Sequence, residues 1–421
     1  MIDLELLRKN PEIFREEIKK RNMRIDVDAD LLLDEKRRDL IFKVDELRAR
    51  KNETSKLIPG FSGEKKTEMV GQMKLLNEDL KEKEDTLAAI EKSFFEKLAS
   101  YPNVTHSSVP VGKDETGNVV AYFVGEKPVF NFEAKSHIEI GTKLGIIDEE
   151  RAAKISGARF VFLKNEAVML QFALVQYVLG ILISRGFSPL IPPVLVKERA
   201  MYGTGFFPVE ASQYYKTELD DLFLVGTSEV SLCSYHTDEF LDVAELPLKY
   251  AAYSTCFRRE AGTYGKDMGG LFRVHQFDKI EMFMFVHPDK SWEYYESLRE
   301  TLEDIVKGLN IHYRIMNMCS GDIGTPNAKK YDLEAWIPSQ GVYREIASCS
   351  NDTDFQARRL NIKYRDGEKK GFVNTMNSTA CAVGRMIMAI IENYQDADGN
   401  VTIPDVLVPY MGGKKAITGK L

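Results

Sequence analysis

Between Leu33 and Phe94 the apolar positions advance in alternating steps of three and four. Leu40, Val44, Leu47 and Ile58 make one series, and Met69, Met73, Leu76, Leu80, Leu87, Ile90 and Phe94 a second. Such spacing lays an apolar stripe along a helix and leaves its other faces polar. PGFSG at 59–63 interrupts the two series with proline and glycine, residues that end helices. Two helices of similar length around one short turn predict an antiparallel coiled-coil hairpin. Neither half finds an apolar partner elsewhere in the chain, so the hairpin is expected to project. Ahead of it, Asn10-Pro11 sets a capping side chain before a proline, which predicts the start of a short helix.

The grammar changes after SYPNVTHSSVPVGKDETGN (100–118), a run of turn formers without period that reads as a linker. Beyond it, β-branched and aromatic runs predict strands at 222–225, 249–259, 271–286, 332–337 and 342–348. AVMLQFALVQYVLGILI (167–183) contains Gln171 and Gln176 and is short for a membrane span, so it is expected to be a buried helix. Strands that follow one another without intervening helices favour an antiparallel sheet flanked by helices, an α+β architecture, over a doubly wound one. The expected division is a helical domain over 1–102 and a second domain over 103–421.

Composition narrows the function classes. The chain has 421 residues and a net charge of −7, so nothing global marks a nucleic-acid binder, and RNA contact would need a local basic patch. The hairpin offers one, with Arg37, Arg38, Arg48, Arg50, Lys51, Lys56, Lys65 and Lys66 expected on its exposed face and gathered toward the turn. Cys233, Cys256, Cys319, Cys349 and Cys381 form no CxxC pair, which argues for a reducing, cytoplasmic setting and against a structural zinc site. MIDLELLRKNPEIF is charged throughout and does not read as a secretory leader.

The chemistry concentrates in FRREAGTYGKDMGGLFRVHQFDKIEMF (257–283). Residues an even number apart on a strand share a face, so Arg258 and Glu260 are expected to point one way, and Phe277 and Glu281 to share a face on the return strand. AGTYGKDMGG between them reads as a long flexible hairpin loop. An arginine fork matches phosphate or carboxylate oxygens, a phenylalanine ring stacks on a base, and a carboxylate accepts from an ammonium or hydroxyl. The set suits a nucleotide plus a small zwitterion; the competing reading is a surface hairpin with cross-strand ion pairs. MNSTACAVGRMIMAIIENYQ (376–395) starts with small residues and continues as an amphipathic helix. It puts Arg385 near a positive helix end, an arrangement that calls for an intervening anion such as a polyphosphate. Glu345 and Ser348 in EIASCSNDTDFQARR (345–359) offer two hard oxygens suited to Mg²⁺ bridging phosphates. SHIEIG at 136 only superficially resembles the nucleotide-binding HIGH element; no KMSKS-like loop or dinucleotide glycine fingerprint accompanies it. The six histidines do not cluster, and His275 reads as a hydrogen-bonded strand residue.

These stretches resemble class II aminoacyl-tRNA synthetases and, over the whole chain, the seryl-tRNA synthetase family. FRREAG with GLFRVHQFDKIE is similar to that family's motif 2, NSTACAVGRMIMAIIENYQ to motif 3, and GFSPLIPPVLVKERAMYGTG to motif 1, with Pro193 at the motif proline position. VGTSEVSL carries its Thr-x-Glu element as Thr227, Ser228 and Glu229, and the hairpin matches its tRNA-binding arm. The resemblance implies a serine–tRNA ligase that uses ATP and Mg²⁺, serves tRNA(Ser), with tRNA(Sec) as a further candidate, and acts as a homodimer without membrane attachment. It implies ATP contacts from Arg258, Arg259, Glu260, Val274, Phe277, Glu345, Ile346, Ala347, Ser348 and Arg385, with Mg²⁺ at Glu345 and Ser348. Serine would meet Thr227, Ser228, Glu229, Arg258, Glu281 and Thr379, while Arg258, Glu345 and Arg385 would carry catalysis. Thr379, Ser228, Ala347 and GTGFFPVEA depart from the residues usual at those positions.

Overall fold

In the computed structural model, which describes residues 1–261 and 269–419, the chain forms two compact units. One comprises Ile2–Lys19 and Met23–Tyr101; the other comprises Pro102–Leu421 together with Met1 and Lys20–Asn22.

The first unit is helical: α1 (Leu4–Lys9), α2 (Pro11–Lys20), α3 (Val27–Leu57) and α4 (Gly63–Leu98). Asp3 and Asp26 cap α1 and α3 by accepting from backbone N–H groups of the first turn, and Pro11 opens α2 as its sequence position predicts. The helices α3 and α4 meet through the 3₁₀ turn Ile58–Gly60. Each of the apolar positions read from the sequence is shielded, Val44, Leu80 and Phe94 completely. At the base, Tyr101 Oη donates to Asp30 (2.9 Å) and packs edge-on against Phe14. The basic face needs correction. Arg37 keeps only 12% side-chain exposure because it bonds Asp34 and crosses to Glu91 at 3.3 Å, and Arg48 is tied to Glu84 at 2.7 Å. The cross-hairpin acid draws Arg37 inward and Lys51 is half-buried, whereas Arg48 stays 57% exposed despite its pairing and joins Arg50, Lys56, Lys65 and Lys66 as the exposed cations toward the turn.

The second unit is built on an eight-stranded sheet: β1 (Val119–Val124), β2 (Ser188–Leu190), β3 (Leu248–Phe257), β4 (Gln276–Val286), β5 (Tyr313–Asn317), β6 (Lys329–Ile337), β7 (Val342–Thr353) and β8 (Asn374–Ala382). Their order is β1-β5-β6-β7-β8-β4-β3-β2, antiparallel except for the parallel edge pair β2–β3. Four helices matter below: α5 (His137–Lys143), α6 (Glu166–Ser184), α7 (Ser291–Gly308) and α8 (Val383–Asn393). Alternation along β4 divides the two faces. Ile280, Met282, Met284 and Val286 enter the large core with α6, α7 and α8, whereas Phe283 and Phe285 enter a smaller cluster with Leu232, Leu241 and Ala252.

The strands differ from their predicted extents, β6 starting early at Lys329 and β7 running on to Thr353. β3 ends at Phe257 and β4 starts at Gln276, so Arg258–Glu260 and Leu271–His275 lie outside the ladder. Glu260 adopts φ 49°, a left-handed conformation uncommon for a residue with a side chain. The even-number argument therefore fails for Arg258 and Glu260. NSTACA of 377–382 belongs to β8 rather than to the start of a helix, because a strand buried on both faces shows no alternation. Residues 102–118 are irregular apart from the 3₁₀ turn Glu115–Gly117, yet Asn103 is buried and its amide donates to Pro326, Asp352 and Thr353. The predicted loop AGTYGKDMGG lies outside the described residues at 262–268.

Helix α6 is not fully buried. Ala167, Leu170, Ala173, Leu174, Val178 and Leu182 face the core. Val168, Met169, Phe172 and Ile183 are exposed, Phe172 by half. By length and apolar composition α6 passes as a membrane-crossing helix.

Candidate active site

A cavity of about 490 Å³ opens on the β4 face that carries Phe283 and Phe285. Thirteen predicted residues line it: Thr227, Glu229, Arg258, Glu260, Val274, Phe277, Glu281, Glu345, Ile346, Ala347, Ser348, Thr379 and Arg385. Ser228 and Arg259 do not. Ser228 is fully buried, and its Oγ has no hydrogen-bond partner among the described residues. Arg259 donates its backbone N–H to Gln213 O (2.8 Å) at the rim.

Three β-bulges aim these side chains. Glu345 pairs with Glu334 and Ala347 with Leu333, so Ile346 is an extra residue in β7. Glu345 and Ser348, three apart, would otherwise point to opposite faces. The inserted residue resets the alternation, sends Ile346 and Ala347 into the core, and puts Glu345 and Ser348 on one side. In β8, Ala380 is the extra residue beside the pairing of Thr379 with Glu281, and Thr379 Oγ1 donates to Glu281 at 3.4 Å. The third bulge, at Asp352, lets that carboxylate accept from Asn327 (2.6 Å) and Asn377 (3.1 Å).

The two guanidinium groups reach the cavity from different elements. Arg258 leaves the end of β3, donates Nε to Gly226 O at 3.2 Å and lies 5.3 Å from the Phe277 ring centre. His275 Nδ1 sits 2.9 Å from Arg258 O, a hydrogen-bonding role just before β4 rather than within it. Arg385, in the first turn of α8, donates to Glu345 O (2.9 Å), approaches its carboxylate at 3.2 Å, and donates Nε to Phe272 O (3.2 Å). Burial would raise the Glu345 carboxyl, but Arg385, Lys330 and Arg258 outweigh it and hold it at about 2. An ionised carboxylate beside the Ser348 hydroxyl fits a Mg²⁺ shared with phosphates, which takes one or two protein oxygens and fills the rest with phosphate and water. Among the described residues no three His, Cys, Asp or Glu side chains gather as a metal set.

At the other end the acids are crowded. Burial pushes Glu229 up to about 8, Asp352 and Glu281 add to the rise, and donation from Gln356 (2.8 Å) opposes it. Glu281 is buried against Lys279, 2.5 Å away. Sequence reasoning passed over Lys279, although its two-residue offset from Glu281 carried the signal. It also passed over Lys330 and Asp332, which meet at 2.9 Å, and Asp332 pairs with Ser348 across β6 and β7. Strand pairing, not local sequence, places those two.

Comparison with known proteins bears on the whole chain. The seryl-tRNA synthetase N-terminal domain matches residues 1–105, and the class II tRNA synthetase core domain (G, H, P, S and T) matches 209–394. A serine–tRNA ligase from Fervidobacterium nodosum is 43% identical over 419 residues, 98% of each chain. The chain belongs to the seryl-tRNA synthetase family. Within that family, seryl-tRNA synthetase from Pyrococcus horikoshii, solved with ATP, superposes with a TM-score of 0.91 at 40% identity, covering 100% of both chains. The Naegleria fowleri cytoplasmic serine–tRNA ligase, solved with AMP, gives 0.86 at 34% identity, covering 100% of this chain and 99% of its own.

Proposed function

We propose that this chain activates L-serine with ATP to seryl-adenylate and transfers serine to the 3′ end of tRNA(Ser), with tRNA(Sec) as a further candidate acceptor. The carrying observation is that Arg258 and Arg385, on separate elements, line one cavity with Glu345 and both act on its carboxylate. The serine carboxylate attacks the α-phosphorus of ATP and pyrophosphate leaves. The terminal ribose hydroxyl of tRNA then attacks the anhydride carbonyl and releases AMP. Arg258 neutralises the α-phosphate, Arg385 the terminal phosphate, and Phe277 with Val274 receives the adenine; positioning and charge do the catalysis. Glu345 and Ser348 would hold Mg²⁺, which when bound would spread phosphate charge.

Glu281 accepts the serine hydroxyl beside Thr379, and Thr227 and Glu229 hold the ammonium. Lys279 at 2.5 Å and Thr379 at 3.4 Å both meet Glu281 Oε2, so a methyl group in place of the serine hydroxyl would leave Oε1 of this buried acid without a donor. Pyrophosphate exchange run with serine, threonine, alanine and glycine is expected to proceed with serine at least about 10⁴-fold better than with alanine. Equal exchange with alanine would end the serine assignment.

The Glu229 carboxyl, held near 8, carries a proton that an incoming ammonium must displace. The KM for serine is therefore expected to fall as pH rises from about 6.5, by up to about tenfold per unit, and to level above about 8. Glu229→Gln should flatten that profile; an unchanged slope would contradict the role. The linkage to folding runs the other way. The folded chain keeps a proton that the unfolded chain loses near 4.5, so this stabilisation fades as pH rises through about 8.

The helical unit 1–102 is assigned tRNA recognition through its arm, by shape and phosphate contacts from the cations near the turn, and 103–421 catalysis. A homodimer follows from the exposed stripe Val168, Met169, Phe172 and Ile183 on α6 and from Ile191, 85% exposed just before Pro193. Exposed apolar side chains of this kind are what a protein interface covers. Five buried, unpaired cysteines support a cytoplasmic setting.

A further inference from the structure

SHIEIG at 136–141 forms α5, whose capping box is closed by Ser136 and Glu139. His137 in its first turn is 3% exposed and serves no part of the chemistry above. Its Nδ1 lies 2.8 Å from Glu392 Oε1, and Glu392 is wholly buried near the end of α8. The same carboxylate accepts from the backbone N–H groups of His137 (3.1 Å) and Ser339 (3.2 Å). A carboxylate only accepts, so Nδ1 carries the proton and Nε2 presents a lone pair. That lone pair accepts from the Leu271 N–H at 3.1 Å.

The next residue, Phe272, is where Arg385 rests. Its carbonyl accepts Arg385 Nε at 3.2 Å and its ring lies 4.5 Å from the guanidinium carbon. Arg385 and Glu392 are seven residues apart on α8, two turns, and so lie on one helix face. The bonds therefore close a circuit: Glu392 to His137, His137 to Leu271, Phe272 to Arg385, and back along the helix. Contacts at Gly270 and Gly384 leave the strip little room. A Cβ at Gly270 would collide with His137 Nε2, and one at Gly384 would meet Leu271 O at 3.3 Å. Packing alone does not fix Phe272, because it stands between the active-site cavity and a second cavity of about 430 Å³ bordered by Ser136, His137 and Ser339.

We propose that His137, oriented by Glu392, is a positioning residue that sets Arg385 through the Leu271–Phe272 peptide and so governs ATP binding. The inference rests on the reading of Arg385 as a triphosphate ligand. The test uses the full-length protein, with pyrophosphate exchange measured against ATP and serine separately and a thermal melt for each variant. His137→Ala is expected to raise the ATP KM by about 10- to 100-fold, the range for losing an orienting partner of a charged ligand group. The serine KM should stay within about twofold, since Arg385 lies on the ATP side. His137→Gln returns an acceptor oxygen near Nε2 and should recover most of the ATP KM. His137→Leu fills the space without an acceptor and should behave as His137→Ala does, which keeps the test open if the alanine variant does not fold. An ATP KM within about twofold of wild type in the leucine variant overturns the proposal. So does a parallel rise in both KM values that glutamine does not relieve, the mark of a merely structural residue. Arg385→Ala is run alongside. If it leaves the ATP KM unchanged, the reading of Arg385 fails independently of His137.

Discussion

Arg385→Ala is expected to lower serine-dependent pyrophosphate exchange by about 10³-fold, or about 4 kcal/mol of transition-state stabilisation. Its melting temperature should stay within a few degrees of wild type. The size follows from where the group sits. Arg385 keeps 21% side-chain exposure, opens onto the same cavity as Arg258, and is the leading cationic influence on Glu345. Removing it takes away one cation for the departing pyrophosphate and lets Glu345 move up from about 2, weakening the oxygen pair with Ser348. The fold should hold, because α8 is anchored by Met386, Ile387, Met388, Ile390 and Ile391 in the large core. Exchange within tenfold of wild type in a well-folded variant would place the terminal phosphate elsewhere.

Shortening the arm should separate the two half-reactions. The sequence suggests removing 35–95, but the structure moves the cut outward. Asp34, Arg37, Glu91 and Phe94 form a base with Arg8, and Arg37 also lies 5.3 Å from the Phe94 ring. Replacing 41–87 by a short glycine turn keeps that base and removes Arg50, Lys56, Lys65 and Lys66. Pyrophosphate exchange should remain within about twofold, whereas tRNA charging should fall by at least about 10³-fold through the lost phosphate contacts. Full-length protein should lose charging steeply with added salt, and the shortened protein should have little left to lose. Loss of exchange together with charging would make the arm a structural support instead.

How much of this was legible depends on which physical signal each element leaves. The hairpin was readable because its stripe from Leu40 to Phe94 is the surface that the two helices shield. Phe277 and Glu281 were readable from even spacing, since the β3–β4 register runs without a shift. Glu260 was not, because the ladder stops at Phe257 and the chain turns through a left-handed residue. Strand β8 left no trace, since all nine residues from Asn374 to Ala382 are buried and alternation is erased. Glu345 and Ser348 lie inside β7 rather than at a strand end, and they share a side only through the added residue at 346, which sequence could not supply. Ser228 and Arg259 entered the candidate set through neighbours in their motifs, and neither lines the cavity. Lys330 and Asp332 are brought in by strand pairing alone.

The three bulges also distribute tolerance to changes in chain length. At Ile346 a single residue decides whether Glu345 and Ser348 share a side, so a deletion there would turn one of the two away from the cavity, and the extra residues at Asp352 and Ala380 likewise fix local register. Around Ile58–Gly60 the opposite holds: paired additions to both helices merely extend a rod. Variation in size belongs at that tip, while the middle of the sheet must be inherited residue for residue.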